Sequence, residues 1–325
     1  MDEIYDVTVI GGGTTGLYSA FYSGMRDLKT KVIEYQPQFG GKVSFFYPEK
    51  KIYDVGGLPG IRGEDLASNV TEQAASVDTT FVTGVKITSM AKRQDDIFIL
   101  KTENGEEHFS KTVLIASGLG TFKMQPLSVK GSAQYDGRQI HYTIQHLEQY
   151  RGQKVGVISQ NRVGIDWALA LEAVAEEVHL LNRGDEFKAV YKYDLEKLEA
   201  STVNVYKNLT IEELRGADVM KEAVLSNGAV LDIDHLLIYE GLQIDKSMYE
   251  EWGLETDKGR IPVGTDMCTS ISGVFVAGDA AVYPSKTMLI ASGFNEAMTA
   301  VNSAAKYLDP KAKSQVYSTV IYKHQ

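Results

Sequence analysis

Three glycines near the amino terminus have the spacing of a phosphate-binding turn. Gly11, Gly13 and Gly16 follow a short apolar run and precede a helical pattern, and Glu34 ends the next apolar run. The first glycine permits a tight turn, the second lets backbone approach a pyrophosphate, and the third lets the helix pack on the strand. N–H groups at a helix N-terminus attract phosphate, and the acid can accept ribose hydroxyls. The pattern predicts binding of an adenine dinucleotide; the alternative is a purely structural glycine turn.

A second turn of the same design departs from this pattern. Ser159 and Asn161 take the places of the first two glycines, and only Gly164 remains. The side chain of Asn161 projects into the space that a pyrophosphate would enter, and a non-glycine residue at 159 makes an unusual tight turn harder to form. Arg162 could supply a compensating charge if the loop moved. Two alternatives stay open for this turn, which are NAD(P)H binding and the loss of it.

Each turn lies between a predicted strand and a predicted helix. Residues 5–10 are rich in β-branched side chains, and residues 17–25 carry apolar side chains at helical spacing. Residues 31–34 predict the next parallel strand, and the same strand–helix–strand order returns over residues 155–181. The two units predict an α/β fold with two doubly wound, Rossmann-like domains of the three-layer ββα type.

Composition and charge narrow the classes of partner. The 325 residues include 33 Lys+Arg and 43 Asp+Glu, which gives a formal net charge of −10. This acidic balance argues against nucleic acid or an anionic membrane as the main partner. Because no signal peptide and no apolar run of membrane-spanning length is seen, we expect a cytoplasmic protein.

The number of cysteines and the spacing of the histidines exclude redox-disulfide and metal sites. The single cysteine, Cys268, excludes an intrachain disulfide, a CxxC redox pair and a multi-cysteine metal centre, and we expect an inert structural thiol. The six histidines show no metal-ligand spacing, so no metal site is predicted. His141 lies in a predicted connecting segment, where a structural hydrogen bond is favoured over catalysis.

Beyond these motifs, the chain resembles the ferredoxin–NADP⁺ reductases of the thioredoxin-reductase-like type, which are homodimeric FAD enzymes common in bacteria. The resemblance covers nearly the whole chain and is most distinctive over YPEKKIYDV at 47–55. The other stretches that carry it are VIGGGTTG at 9–16, IEYQPQFGGK at 33–42, IASGLGTF at 115–122, DWALALE at 166–172, VFVAGD at 274–279 and LIASGFNEAMTA at 289–300. Thioredoxin reductase itself is excluded, since its dithiol relay needs two cysteines.

The resemblance implies a FAD site along the first domain. The implied contacts are Thr15 and Glu34 with the ADP half, Ile87 and Phe122 against the adenine, Tyr47 on one flavin face, Asp279 at the ribityl–phosphate part, and Thr319 near the carboxyl terminus. Tyr317 would take the place of the histidine that covers the other flavin face, if one residue is deleted in the alignment. Lys42 stands where the family has glutamine, near the flavin, where its charge would raise the potential; the alternative is a solvated surface lysine.

The resemblance also indicates where this chain differs from its family. The family has an intact glycine turn in the second unit, and it has His-Arg-Arg…Arg for the 2′-phosphate of NADPH. The matching positions here are Asn182, Arg183, Gly184 and Lys188. Two cations remain, and one of them is a lysine without the bidentate fork of arginine. Joint change of the pyrophosphate and 2′-phosphate sites is what relaxed or redirected function predicts.

Two functions follow as expectations from these features. We expect residues 1–115 and 245–325 to form a FAD-binding domain, and residues 116–244 an inserted NAD(P)H-binding-like domain. The resemblance implies a homodimeric FAD-dependent oxidoreductase that passes electrons between NADPH or NADH, flavin and an iron–sulfur protein or another one-electron acceptor. The alternative is a redox-responsive or partner-reduced flavoprotein with lost or weak NAD(P)H use. Since the flavin carries the chemistry, no catalytic side chain is predicted.

Overall fold

The computed structural model describes residues 3–118, 120–245 and 247–316. Its strands are, in chain order, β1 Ile4–Ile10, β2 Thr30–Ile33, β3 Lys51–Ile52, β4 Ile61–Arg62, β5 Thr79–Val82, β6 Ile87–Lys92, β7 Phe98–Thr102, β8 Glu107–Ile115, β9 Thr121–Met124, β10 Ile140–His141, β11 Lys154–Ser159, β12 Glu177–Asn182, β13 Asn204–Lys207, β14 Ile211–Gly216, β15 Met220–Leu225, β16 Val230–Asp232, β17 His235–Tyr239, β18 Leu242–Asp245, β19 Ile261–Pro262, β20 Val274–Val276 and β21 Ala281–Val282. Its α-helices are α1 Thr14–Gly24, α2 Gly41–Phe46, α3 Gly63–Ala75, α4 Arg162–Leu171, α5 Lys192–Glu199, α6 Ser247–Glu251 and α7 Ile290–Leu308.

The chain divides into two units. The first holds the residues up to Phe122 and those from Ile244 onward, and the second holds the residues between them. The boundaries expected from the sequence fall after residues 115 and 244. Residues 116–122 belong to the first unit, where several of them line its main cleft. Which nucleotide each unit binds stays a prediction.

A mixed sheet forms the centre of the first unit. Its strand order is β5-β2-β1-β8-β7-β6, and β20 also pairs with β8. The pairs among β5, β2, β1, β8 and β20 are parallel, whereas β8, β7 and β6 form an antiparallel meander. In the register, Ile10 is opposite both Ile33 and Ile115. The carboxyl ends of β1, β2 and β8 therefore meet at one edge, where a ligand of such a fold binds.

Both faces of this sheet are buried. Val7 and Val9 of β1 pack in one apolar cluster with Leu17 of α1, whereas Ile10 belongs to a second cluster with Ile115. Burial on both faces explains why these strands are nearly continuous apolar runs rather than alternating ones. Helix α1, which contacts α3 and α7, is held on the sheet by side chains such as Leu17, whose full burial contributes about 1.5–3 kcal/mol.

The second unit repeats the parallel design. Its main sheet has the order β10-β17-β11-β12-β13 with parallel pairs throughout, and β14-β15-β16 form a separate antiparallel sheet. Helix α4 buries Ile165, Ala168 and Leu171 against Val155 and Val157 of β11. Each unit thus has parallel strands with its glycine-turn helix packed against them, which confirms the predicted α/β fold of two Rossmann-like domains.

A buried ion pair fixes the turn after β20 to helix α7. Glu296, which is 1% exposed, accepts hydrogen bonds from the backbone N–H of Gly278 at 2.7 Å and the hydroxyl of Tyr283 at 2.6 Å. Its Oε1 also lies 2.5 Å from Nζ of Lys286, whose side chain is 7% exposed. Burial and the bond to Glu296 raise the pKa of Tyr283 to about 12, so the phenol stays a donor. Each buried charge depends on the other for stabilisation.

Glu296→Ala should therefore destabilise the first unit strongly. It leaves Lys286 buried without its carboxylate, and we expect the free energy of unfolding to fall by about 3–5 kcal/mol. The matched control is Glu107→Ala, which breaks the exposed pair with Lys101 at 2.9 Å and should change stability by less than about 1 kcal/mol. Urea denaturation of the full chain measures both, and equal losses would contradict this account.

Candidate functional site

Two of the three glycines in the first turn are required by the packing of the protein itself. Gly11 has a φ of +109°, and a Cβ there would lie 2.5 Å from the carbonyl oxygen of Ala116. A Cβ at Gly16 would lie 1.8 Å from the carbonyl oxygen of Gly11. The structural alternative for the turn is therefore sufficient to explain these two positions.

Gly13 is different, because the protein leaves room for a side chain there. Its backbone is extended, and the nearest atom to an added Cβ would be Cα of Gly41 at 3.8 Å. Helix α1 begins after Gly13 with no side-chain cap and no acidic residue in its first turn. The first backbone N–H groups of α1 thus face the clefts as donors suited to an anion. A ligand in this space accounts for the glycine where protein packing does not.

Glu34 is held in the same cleft by backbone donors. It is 3% exposed, and its two carboxylate oxygens accept from the N–H of Gly12 at 2.6 Å and of Gln36 at 2.7 Å. Burial raises the pKa of this carboxyl, and the backbone donors oppose that rise. Each oxygen keeps a further lone pair. The geometry suits a carboxylate that accepts hydroxyl groups from a ligand.

The main cleft of the first unit runs from this carboxylate to an apolar end. Its empty space is about 700 Å³, and its lining includes Glu34, Tyr35, Ile87 and Phe122. The Tyr35 hydroxyl accepts from the N–H of Phe122 at 3.3 Å, and burial raises the pKa of Tyr35 to about 12. Sequence reasoning missed Tyr35, which is marked only by its place after Glu34. The cleft has the size and the apolar character of a site for an aromatic ligand group.

A second cleft joins the first at the N-terminus of α1. It measures about 560 Å³ and is lined by Gly13, Thr15, Lys42, Asp279 and Leu289, among others. Nζ of Lys42 lies 2.8 Å from Oδ2 of Asp279, with the side chains 44% and 23% exposed. Lys42 lines both clefts. The structure thus brings together Thr15, Lys42 and Asp279, which were predicted separately. Lys42 forms an ion pair and is not a purely solvated surface lysine.

Three further residues are predicted from the resemblance to contact FAD. Tyr47 follows α2, its ring centroid lies 6.1 Å from that of Phe46, and it does not line either of the two clefts. Tyr317 and Thr319 lie outside the described residues. The flavin contacts of these three residues stay predictions.

In the second glycine-type turn, a side chain of the turn caps the helix that follows. Asn161 begins α4, and its side-chain Oδ1 accepts from the N–H of Val163 at 3.0 Å. Ser159 ends β11 without the left-handed φ that Gly11 adopts, so the turn forms here with backbone dihedrals open to a residue with a side chain. Gly164 is required here because its Cβ would lie 2.2 Å from Cβ of Ser159.

The cations expected to bind phosphate in the second unit contact groups of the chain itself. Nη2 of Arg162 donates to the hydroxyl of Tyr193 at 2.6 Å, and its Nε lies 3.3 Å from Oδ2 of Asp194. Nη1 of Arg183 lies 3.6 Å from Oε1 of Glu240.

The other positions that match the 2′-phosphate motif of the family lie near the second glycine-type turn. Asn182 is fully buried at the end of β12, and its Oδ1 accepts from the N–H of Gly184 at 2.8 Å. The backbone N–H of Lys188 donates to the carbonyl of Gln160 at 2.6 Å, which ties this segment to the turn. Asn182 and Lys188 therefore lie at this turn, where each makes a hydrogen bond with a neighbouring residue of the chain.

Other chemically capable residues have structural surroundings. Burial and the bond to Asp266 raise the pKa of Cys268 to about 12, which disfavours the reactive thiolate. Nε2 of His141 lies 3.3 Å from Nδ1 of His235, and burial lowers the pKa of both rings. Over the described ranges, no group of three or more His, Cys, Asp or Glu is arranged to hold a metal ion. Within the same ranges, no helix has the length and apolar character needed to cross a membrane.

Comparisons with known proteins match this geometry. A sequence profile described as pyridine nucleotide-disulphide oxidoreductase matches residues 5–304. The chain is 42% identical over 329 aligned residues to ferredoxin–NADP reductase 2 of Bacillus subtilis, which covers 99% of this chain and 98% of that protein. It is 43% identical over 326 aligned residues to ferredoxin–NADP reductase 2 of Bacillus velezensis, with 98% of each chain covered.

A solved structure shares the fold. The crystal structure of T. acidophilum thioredoxin reductase superposes with a TM-score of 0.73 at 21% identity, covering 95% of this chain and 99% of that one. The family profile and the two Bacillus relatives confirm the resemblance read from the motifs, and the chain belongs to the pyridine nucleotide-disulphide oxidoreductase family.

Proposed function

We propose that this protein is a FAD-dependent oxidoreductase of the ferredoxin–NADP reductase type. It passes electrons between NADPH or NADH and a one-electron acceptor such as an iron–sulfur protein. The observation that carries the proposal is the uncapped N-terminus of α1, open at Gly13 beside the buried carboxylate of Glu34. The relatives named ferredoxin–NADP reductase support the electron partners. A homodimer, known in the family that the chain resembles, is part of the proposal.

The residues of the first unit fit an extended dinucleotide. The carboxylate of Glu34 would accept the ribose hydroxyls of the adenosine, and the apolar end at Ile87 and Phe122 would take the adenine ring. The N–H groups of α1 and the space at Gly13 suit the pyrophosphate. Asp279 lies on the other side of that space and would accept from the ribityl part.

The chain contributes binding and electrostatics rather than a reacting side chain. When bound, FAD supplies the redox chemistry, because it accepts an electron pair as hydride and returns electrons one at a time. Glu34 and Asp279 orient the two ends, and apolar walls keep water from the ring system. Lys42 places a positive charge where the two clefts meet, which favours a negatively charged ligand there.

A second candidate function is favoured by the turn of the second unit. The Asn161 side chain caps α4, and Arg162 and Arg183 are paired with acids of the same unit. These contacts support a flavoprotein with weak or absent NAD(P)H use, reduced by a partner protein instead. In that case the FAD site of the first unit would be unchanged.

Anaerobic reduction distinguishes the two candidates. Purified protein is mixed with NADPH, with NADH and with dithionite, and its visible flavin absorbance is followed. Rapid bleaching by a nicotinamide nucleotide supports the reductase, and electron transfer to added ferredoxin tests its acceptor. Bleaching by dithionite alone supports the partner-reduced flavoprotein. A colourless protein that takes up no FAD would contradict both.

Gly13→Val should give a folded protein without FAD. The protein has room for a Cβ at this position, and the valine side chain enters the space assigned to the pyrophosphate, so we expect loss of the yellow colour with little change in the melting temperature of the apoprotein. Gly56→Val is the matched control, since a Cβ at Gly56 meets no atom within 4 Å and its backbone, like that of Gly13, is not left-handed. Full flavin content in the Gly13 variant would place the phosphates elsewhere.

Lys42→Gln should weaken FAD binding by roughly fivefold at low salt, from the loss of about 1 kcal/mol of charge interaction. The matched control is Lys111→Gln. That lysine pairs with Asp6 at the same 2.8 Å and with similar exposure, 51% and 23%, outside both clefts. FAD titration into apoprotein, followed by flavin fluorescence at two ionic strengths, gives the affinities. If both variants match the parent, Lys42 is a surface lysine only.

A further inference from the structure

The two glycine-type turns satisfy their helix N-termini in opposite ways. In the first unit, α1 begins at Gly13 without a side-chain cap. In the second unit, the N-cap residue of α4 is Asn161, whose Oδ1 accepts from the N–H of Val163 at 3.0 Å. The N–H of Asn161 itself donates to Oγ of Ser159 at 3.3 Å. An amide oxygen of the chain thus lies where a phosphate oxygen would bind a helix N-terminus.

A buried donor beside this turn has no acceptor from the protein. Asn182 is fully buried, and within the described ranges its Nδ2 makes no hydrogen bond. Strands β11 and β12 are parallel neighbours, so Asn182 emerges at the same edge of the sheet as Ser159. Because an unpaired buried donor is costly, this group points to a ligand oxygen.

The nearby guanidinium groups are occupied as well. Arg162 contacts Tyr193 and Asp194, and it lies 5.2 Å from the ring centroid of Tyr191. Nη1 of Arg183 lies 3.6 Å from Oε1 of Glu240. A ligand phosphate must therefore compete with groups already in place for both cations.

We propose that Asn161 is an internal lid on the dinucleotide site of the second unit and sets its affinity for NADPH and NADH. The side chain must leave the helix N-terminus before a pyrophosphate can bind there. This inference rests on the proposed function, since it takes NAD(P)H as the ligand class. It goes further, because it assigns the affinity to one hydrogen-bonded side chain.

The lid acts on the pyrophosphate, which NADPH and NADH share. Opening the lid changes no contact of Arg183, whose Nη1 lies 3.6 Å from Oε1 of Glu240 and which would be the cation to meet a 2′-phosphate. Opening the lid should therefore strengthen the binding of both nucleotides by a similar factor. A purely structural cap would leave both affinities unchanged.

Asn161→Gly tests the lid directly. Glycine is tolerated at helix N-caps, so the variant should fold, and we expect both nucleotides to bind on the order of tenfold more tightly. The matched control is Asn227→Gly. Oδ1 of Asn227 accepts from the N–H of Ala229 at the same 3.0 Å, but in an exposed hairpin of the same unit. Calorimetric titration of oxidised full-length protein with NADPH and with NADH measures binding without requiring flavin reduction.

Asn161→Asp gives the opposite test and keeps the cap. The carboxylate retains the hydrogen bond and favours the helix N-terminus, so the melting temperature should hold. Its negative charge should weaken the binding of both NADPH and NADH several-fold. This variant keeps the proposal testable even if the glycine variant fails to fold.

The outcomes separate the lid from the proposed function. Tighter binding in Asn161→Gly, weaker binding in Asn161→Asp and parental binding in Asn227→Gly support the lid. Parental affinity in both Asn161 variants, or no binding in any of the four proteins, overturns it. Tightening for NADPH alone overturns the shared-pyrophosphate argument. Failure of the proposed function appears independently, as protein without bound FAD.

Discussion

The first backbone N–H groups of a helix need an acceptor, and the two units of this protein supply it differently. In α1 the chain offers none from its cap residue Gly13, so the acceptor is left to a ligand. In α4 the chain offers the Asn161 side chain. One hydrogen-bonding requirement thus distinguishes a helix N-terminus left open by the protein from one capped by it. The rest of the architecture, parallel strands ending at one edge with a helix behind them, serves to present those N–H groups.

Two buried glutamates hold the open site in shape. Glu34 accepts from the N–H of Gly12, and Glu296 accepts from the N–H of Gly278. Each carboxylate thereby fixes a glycine-containing turn of the first unit. Their energetic roles differ, since Glu296 has a buried lysine partner whereas Glu34 relies on backbone donors and keeps acceptor capacity. We infer that Glu296 is a structural carboxylate and that Glu34 is a binding one.

Much of this could be predicted from residue type and spacing. The glycines and Glu34 predicted the turn, because each position has a steric or hydrogen-bonding reason that depends on local sequence. Tyr35 and Glu296 could not be found in this way. Their roles depend on partners distant in sequence, the N–H of Phe122 and Nζ of Lys286, which only the folded chain brings near. The departure at Asn161 was visible as a missing glycine, but its action as a cap depends on its rotamer and on α4.

Amide hydrogen exchange tests the central claim most directly. Exchange at residues 14–17 and 162–165 is compared in apoprotein and after FAD is added. The account predicts that FAD slows exchange at the start of α1 and leaves the start of α4 unchanged, because Asn161 already occupies it. Bound FAD with no slowing at residues 14–17 would contradict the assignment of the phosphates to α1.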